Sequence, residues 1–197
     1  MTAFRLGLTG SIGMGKSTTA RLFAEAGLPV WDADAAVHRL YRPGGGATAP
    51  LSQTFPEAVG PEGVDREALS RRIAADPQAL ARLESIVHPL VAADRLEFLR
   101  GATAGIVVLD IPLLFEKGTE SEMDATLLVT APAEVQRARV LARPGMTEDR
   151  FQTLLSRQMP DREKRGLATH IIETLSVEAA RACVAALIAH IKGRTHA

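Results

Sequence analysis

The sequence predicts an α/β fold built on a parallel sheet, and three observations carry that prediction. Short apolar runs alternate with amphipathic stretches of helical period. The early runs end in turns carrying Gly10 or Asp32. A third run, Ile106-Val107-Val108-Leu109, is continuously apolar and largely β-branched, as a strand buried on both faces should be. The 197 residues allow one compact domain, or one domain carrying a sizeable insertion.

Taken in order, Phe4–Thr9 reads as the first strand and stops at Gly10. A glycine-punctuated turn leads into a helix over 17–25, with Ala20, Leu22, Phe23 and Ala24 at helical spacing and Gly27 in place to end it. Leu28-Pro29-Val30-Trp31 is a second short strand, running into Asp32-Ala33-Asp34 and a helix over 35–41. Residues 43–63, rich in Gly and Pro, predict mainly loop. From 66 to 100 the chain is helical in character. Leu69 and Ile73 share one face, Leu80, Leu83, Val87, Leu90 and Val91 form another, and Pro89 is expected to bend or interrupt the second helix. No strand signal appears there, so 42–103 reads as a helical insertion into a core formed by 1–41 and 104–197. The sheet resumes at 106–109, with Ala125–Thr130 as a fourth strand and His170–Ile172 as a weaker fifth. Helices are expected near 133–142, 147–158 and 177–191; the last carries Val184, Leu187, Ile188 and Ile191 on one stripe, with Cys183 beside it as a small core residue.

Composition narrows the function classes. The 23 basic residues balance 23 acidic ones, which argues against a broad nucleic-acid surface. With 46% hydrophobic and 23% charged residues the chain is ordinary for a soluble globular protein. No apolar run approaches the ~18–20 residues of a membrane span, and the N-terminal stretch is too short and glycine-interrupted for a secretory signal. A lone Cys183 forms no internal disulfide. The expectation is a cytoplasmic protein, monomeric or a small homo-oligomer, with neither nucleic acid nor membrane as partner. Only four of the basic residues are lysines (Lys16, Lys117, Lys164 and Lys192), so a Lys at a special position is informative.

Gly10-Ser11-Ile12-Gly13-Met14-Gly15-Lys16-Ser17 matches G-x-x-x-x-G-K-[ST] in full, between an apolar strand and an amphipathic helix. Such a loop converges backbone N–H groups on a phosphate, which needs glycine conformations, while the helix N-terminus adds partial positive charge. Lys16 supplies a mobile charge to the β- and γ-phosphates, and the Ser17 hydroxyl suits Mg²⁺. The candidate nucleotide-binding residues are therefore Gly10, Ser11, Ile12, Gly13, Met14, Gly15, Lys16, Ser17 and Thr18. A guanine-reading Asn-Lys-x-Asp element is excluded, because the chain has no Asn. The size suits a small-molecule kinase with an acceptor pocket and a closing lid.

Asp32 and Asp34 follow the second strand, where ligands of open parallel sheets gather. One of them could orient an acceptor hydroxyl and take its proton; either could instead be only a helix cap. Asp110, directly after the third strand, is placed to hold a metal's water shell or to serve the fold. Between 137 and 165, eight basic residues against four acidic ones leave +4. That cluster reads as an arginine lid over about 138–165, although any single arginine there could belong to a solvated helix face.

The chain resembles the dephospho-coenzyme A kinases. The resemblance rests on residues 7–17, Asp32-Ala33-Asp34, Asp65-Arg66, His88-Pro89, Asp110-Ile111-Pro112-Leu113-Leu114-Phe115-Glu116 and Gln158-Met159, in order from about residue 6 to 173. It implies a three-layer α/β/α P-loop kinase fold with a five-stranded parallel sheet, an inserted helical substrate domain for CoA and a helical lid. The implied reaction is phosphorylation of the ribose 3′-hydroxyl of dephospho-CoA by ATP with Mg²⁺, the final step of coenzyme A biosynthesis. By position it makes Asp34 the general base with Asp32 in support, Lys16, Arg139 and Arg143 the cationic catalytic groups, and Ser17 and (through water) Asp110 the metal ligands. Asp32, Asp34, His88 and Leu113 would line the acceptor side. The chain departs from the family at Ala168–Thr174, where Ala-Asp and a following Asn are usual. Two other readings compete: a different nucleoside or nucleotide kinase, and a nucleotide-dependent regulatory module.

Overall fold

The computed structural model describes residues 3–195. The chain forms two compact units, one of residues 1–31 with 102–197 and one of residues 32–101.

The first unit contains a five-stranded parallel sheet. Its strands are β1 (Phe4–Thr9), β2 (Val30–Asp32), β5 (Ile106–Asp110), β6 (Ala125–Thr130) and β7 (His170–Glu173), in the spatial order β2-β5-β1-β6-β7. All five strands expected from the sequence are present. Every residue of β5 and β6 is buried, which explains why both read as unbroken apolar or Thr runs rather than alternating ones. Leu6, Leu8, Val108, Leu127 and Val129 pack with Leu22 and Phe23 of α1 (Lys16–Glu25) and with Ala180, Val184, Ile188 and Ile191 of α9 (Val177–Thr195). On the opposite face Thr130 Oγ1 donates to Asp161 of α8 (Asp161–Leu167), so helices cover both sides of the sheet. Cys183 is exposed, one position off that apolar stripe, and is not the core residue expected.

Register sets the site. Leu8 lies opposite Asp110 on one side and Leu127 on the other, so β1 and β5 reach their carboxyl ends together. At the other end Asp124 accepts from Arg5 N–H at 2.7 Å and from the Arg5 guanidinium at 3.2 Å, while Asp124 N–H donates back to Arg5 C=O at 2.9 Å.

The second unit contains α2 (Ala33–Tyr41), α3 (Thr48–Thr54), a 3₁₀ turn at Pro56–Ala58, a hairpin of β3 (Val59–Gly60) and β4 (Gly63–Val64), α4 (Arg66–Ala75) and α5 (Ala79–Gly101). Stretch 43–63 is thus not mainly loop. Its glycines and prolines mark tight turns between short elements: a Cβ on Gly45 would lie 2.3 Å from Leu40 C=O, and Gly45 C=O accepts from Thr48 Oγ1 at 2.7 Å as α3 begins. Leu51, Phe55, Ala58, Leu69 and Val87 form the unit's own core. Nor does Pro89 interrupt α5. Pro89 and Ser85 lie on the exposed face, so water serves the Ser85 carbonyl that proline leaves unbonded, while Val87 is buried and Leu90 and Val91 pack against the core.

Burial alone would push the Asp124 carboxyl up, but the Arg5 guanidinium and N–H hold it below the usual carboxylate range. The unfolded chain then binds the proton more readily, so the clamp's contribution is full above the ordinary value of about 4 and is lost as pH falls through the lower folded value. Thermal melts are expected to drop steeply below about pH 4, with a shallower acid slope in Asp124→Asn.

Candidate active site

Strand β1 delivers the chain into the phosphate loop at Gly10. Gly13 and Gly15 have φ of +78° and +89°. At Gly15 a side chain is excluded twice over, by that conformation and by space, since a Cβ would sit 2.8 Å from Thr174 Oγ1. Gly15 is the N-cap of α1 and no side chain caps that helix, which leaves its first-turn amides without intrahelical acceptors. Ser17 and Thr18 lie in this turn, Ser17 exposed and Thr18 half-buried. Ser11 is buried, and its hydroxyl has no hydrogen-bond partner among the described residues.

Lys16 Nζ lies 2.6 Å from Asp110 Oδ1, with the carboxylate almost wholly buried. The strand register brings the two sequence-predicted residues together: Lys16 opens α1 after β1, and Asp110 ends β5 beside it. Leu113 follows in the same segment, half-buried. Thr9 Oγ1 donates to Pro112 C=O at 3.1 Å, tying that segment to the end of β1.

The loop is braced by residues to which sequence reasoning gave no role. Gln136, buried in α6 (Ala133–Leu141), donates from Nε2 to Ile12 C=O at 2.8 Å. Gln158, between α7 (Glu148–Leu155) and α8, accepts from Ile12 N–H at 3.1 Å. Both polar backbone groups of Ile12 are thereby fixed by side-chain amides. Met14 packs into the core and its Sδ faces Ala131 N–H at 3.0 Å, while Thr174 Oγ1 donates to Met14 C=O at 2.8 Å. Thr174 was visible in the sequence only as a departure from the family pattern.

The arginine cluster divides. Arg139 donates to Thr174 Oγ1 at 3.0 Å, Arg137 pairs with Glu148 at 2.7 Å, Arg150 donates to Gly145 C=O at 2.8 Å and Arg165 pairs with Asp161 at 2.6 Å. Arg137 and Arg165 are thus spent on local ion pairs, whereas Arg139 and Arg150 are held by neutral oxygens. Arg143 is exposed and has no ion pair among the described residues. Lys164 is fully buried against Glu116, 2.8 Å away. The scarcity of lysine was the signal that could have singled it out.

In the second unit Asp32 Oδ1 accepts from Ala35 N–H at 3.0 Å and caps α2, so its carboxylate has the structural role that the sequence left open. Asp34 is exposed in the first turn of the same helix. His88 is exposed on α5, 3.8 Å from Glu84.

Gly15→Ala is expected to weaken nucleoside-triphosphate binding by about tenfold or more, because the left-handed backbone and the Thr174 contact must both give way. Gly105→Ala, with open space at its Cβ, is expected to bind as the parent does; calorimetric titration checks both.

A family model for dephospho-CoA kinase matches residues 4–178. A dephospho-CoA kinase of Cereibacter sphaeroides is 68% identical over 192 residues, covering 98% of each chain, and one of Mesorhizobium japonicum is 58% identical over 194 residues, covering 96% of this chain and 97% of the other. Among solved structures, a Thermus thermophilus protein is 39% identical with a TM-score of 0.87, covering 96% of this chain and 98% of its own. The dephospho-CoA kinase of Campylobacter jejuni, at 23% identity, a TM-score of 0.72 and the same coverage, shares the fold. The phosphate loop, the parallel sheet and these full-length likenesses agree: the chain belongs to the dephospho-CoA kinase family.

Proposed function

We propose that this chain transfers the γ-phosphoryl group of ATP to the ribose 3′-hydroxyl of dephospho-CoA, giving coenzyme A and ADP. The observation that carries the nucleotide half of this reading is the phosphate loop itself. The uncapped N-terminus of α1, the unpartnered buried Ser11 hydroxyl and the Lys16 ammonium belong to one short segment suited to an anion. Family membership supports the acceptor half.

In this reading the amides of Gly13–Thr18 and Lys16 hold the β- and γ-phosphates. The residues present suit Mg²⁺: the exposed Ser17 hydroxyl and, through water, the Asp110 carboxylate would hold it, both being hard oxygen donors. Bound with ATP, the ion neutralises phosphate charge. Asp34 accepts the 3′-hydroxyl proton as that oxygen bonds to the γ-phosphorus; the bond to the bridging oxygen breaks and ADP departs. Asp32 supports it by fixing the first turn of α2. Arg143 is the arginine that reaches the transferring group, whereas Arg139 shapes the loop through Thr174. The segment 138–165 serves as the lid, the 42–103 region with His88 is assigned to the CoA moiety, and Leu113 is assigned to the acceptor side. No helix among the described residues is long and apolar enough to cross a membrane. The reading puts the reaction in the cytoplasm, on dissolved substrates.

ADP release across a panel of nucleoside, sugar and nucleotide acceptors is expected to require dephospho-CoA and Mg²⁺. Turnover of other acceptors with none on dephospho-CoA would overturn the assignment, and acceptor-independent hydrolysis would favour a regulatory module. Asp34→Asn is expected to lower kcat by roughly 10²–10⁴ with ATP affinity kept. Near-normal turnover in that variant would remove Asp34 as the base.

A further inference from the structure

We propose that Lys164, Glu116 and Gln158 form a positioning relay that holds the phosphate loop in its nucleotide-binding shape. The inference deepens the kinase reading and rests on its nucleotide half alone. Lys164 of α8 is fully buried, and a buried ammonium is costly unless it is paired. Its partner is Glu116, in the segment that follows β5. The ammonium lies 2.8 Å from Glu116 Oε1, close enough for the two charges to pair directly. The same Glu116 oxygen, Oε1, accepts from Met159 N–H at 3.0 Å. Met159 directly follows Gln158, whose Oε1 accepts the Ile12 N–H in the phosphate loop.

The connections run in one direction. Lys164 fixes the Glu116 carboxylate, Glu116 fixes the Met159 peptide, and that peptide sets where Gln158 meets Ile12. Gln136 grips the other side of the same residue from a buried helix position. The loop therefore leaves β1 with Ile12 already fixed at both its N–H and its C=O. Preorganisation of this kind spares the nucleotide the entropic cost of ordering the loop. Burial alone would raise the Glu116 pKa, yet the Lys164 ammonium and the Met159 N–H hold it below the usual carboxylate range, in keeping with an ionised hub. A buried charge pair is often no more stabilising than apolar side chains of similar size, so stability does not account for this one. The acceptor that Glu116 gives Met159 does.

The test separates the acceptor from the charge. Glu116→Gln with Lys164→Met removes both charges but keeps an amide oxygen for Met159 N–H, and is expected to bind a non-hydrolysable ATP analogue within about twofold of the parent. Glu116→Leu with Lys164→Met removes the acceptor as well, and is expected to bind about tenfold more weakly, as is Gln158→Leu alone. The triple variant Glu116→Leu, Lys164→Met and Gln158→Leu is expected to be no weaker than Gln158→Leu, because all act through one contact. KM for dephospho-CoA is expected to stay at the parental value throughout. Additive losses in the triple variant, or equal losses toward both substrates, would overturn the relay. Gln158→Leu removes only a half-buried amide and folds even if a paired variant does not; parental affinity for the analogue in that protein overturns the relay by itself. Analogue binding needs no acceptor, so a wrong acceptor assignment would appear in the turnover panel and leave these titrations unchanged.

Discussion

From Leu6 to Thr9 strand β1 is buried, with a parallel strand paired along each edge, and the rest of the nucleotide half depends on that confinement. Flanked by β5 and β6, it cannot slide without driving its apolar face out of the α1–α9 core and breaking two registers at once. Its carboxyl end is therefore a fixed point. The turn at Gly15, the direction of α1 and the approach of Lys16 to Asp110 all inherit their positions from it. The arrangement sets the Lys16 ammonium, paired with Asp110, at the N-terminus of α1, where the helix dipole adds partial positive charge.

The sheet was legible in the sequence because parallel strands buried on both faces leave uninterrupted apolar runs, and the phosphate loop because its residue types are dictated by anion geometry. What escaped was whatever depends on contacts between residues far apart in the chain. Gln136 and Gln158 lie 124 and 146 positions from Ile12, and no local periodicity marks an amide that braces a loop. The arginine cluster is the opposite case: its charge was plain, but charge alone does not separate Arg137, spent on Glu148, from Arg143, which has no ion pair among the described residues. Asp32 and Asp34 differ in the same way, one engaged as a cap and the other exposed, a distinction that rests on the helix starting at Ala33 rather than Ala35.

The region of residues 32–101 illustrates how composition can mislead about order. Glycine and proline between 43 and 63 suggested loop, yet they punctuate short elements packed on a core of its own, with Phe55 fully buried. A glycine at a close approach and a glycine in an open loop read alike in one sequence. Pro89 makes the same point about helices: what decides its effect is which face of α5 carries the unbonded carbonyl, and that is a property of packing.

The depth of Lys164 has a further consequence for how this protein meets acylating reagents. Among its four lysines, Lys117 is exposed and Lys16 only half-buried, whereas the Lys164 amine is sealed beside the Glu116 carboxylate, out of reach of a reagent in water. Acylation there must wait for α8 to lift away. The residue thus acts as an internal clock for local opening of that helix, and a sudden gain in its reactivity would mark the loosening of the segment beneath the phosphate loop before the sheet itself unfolds.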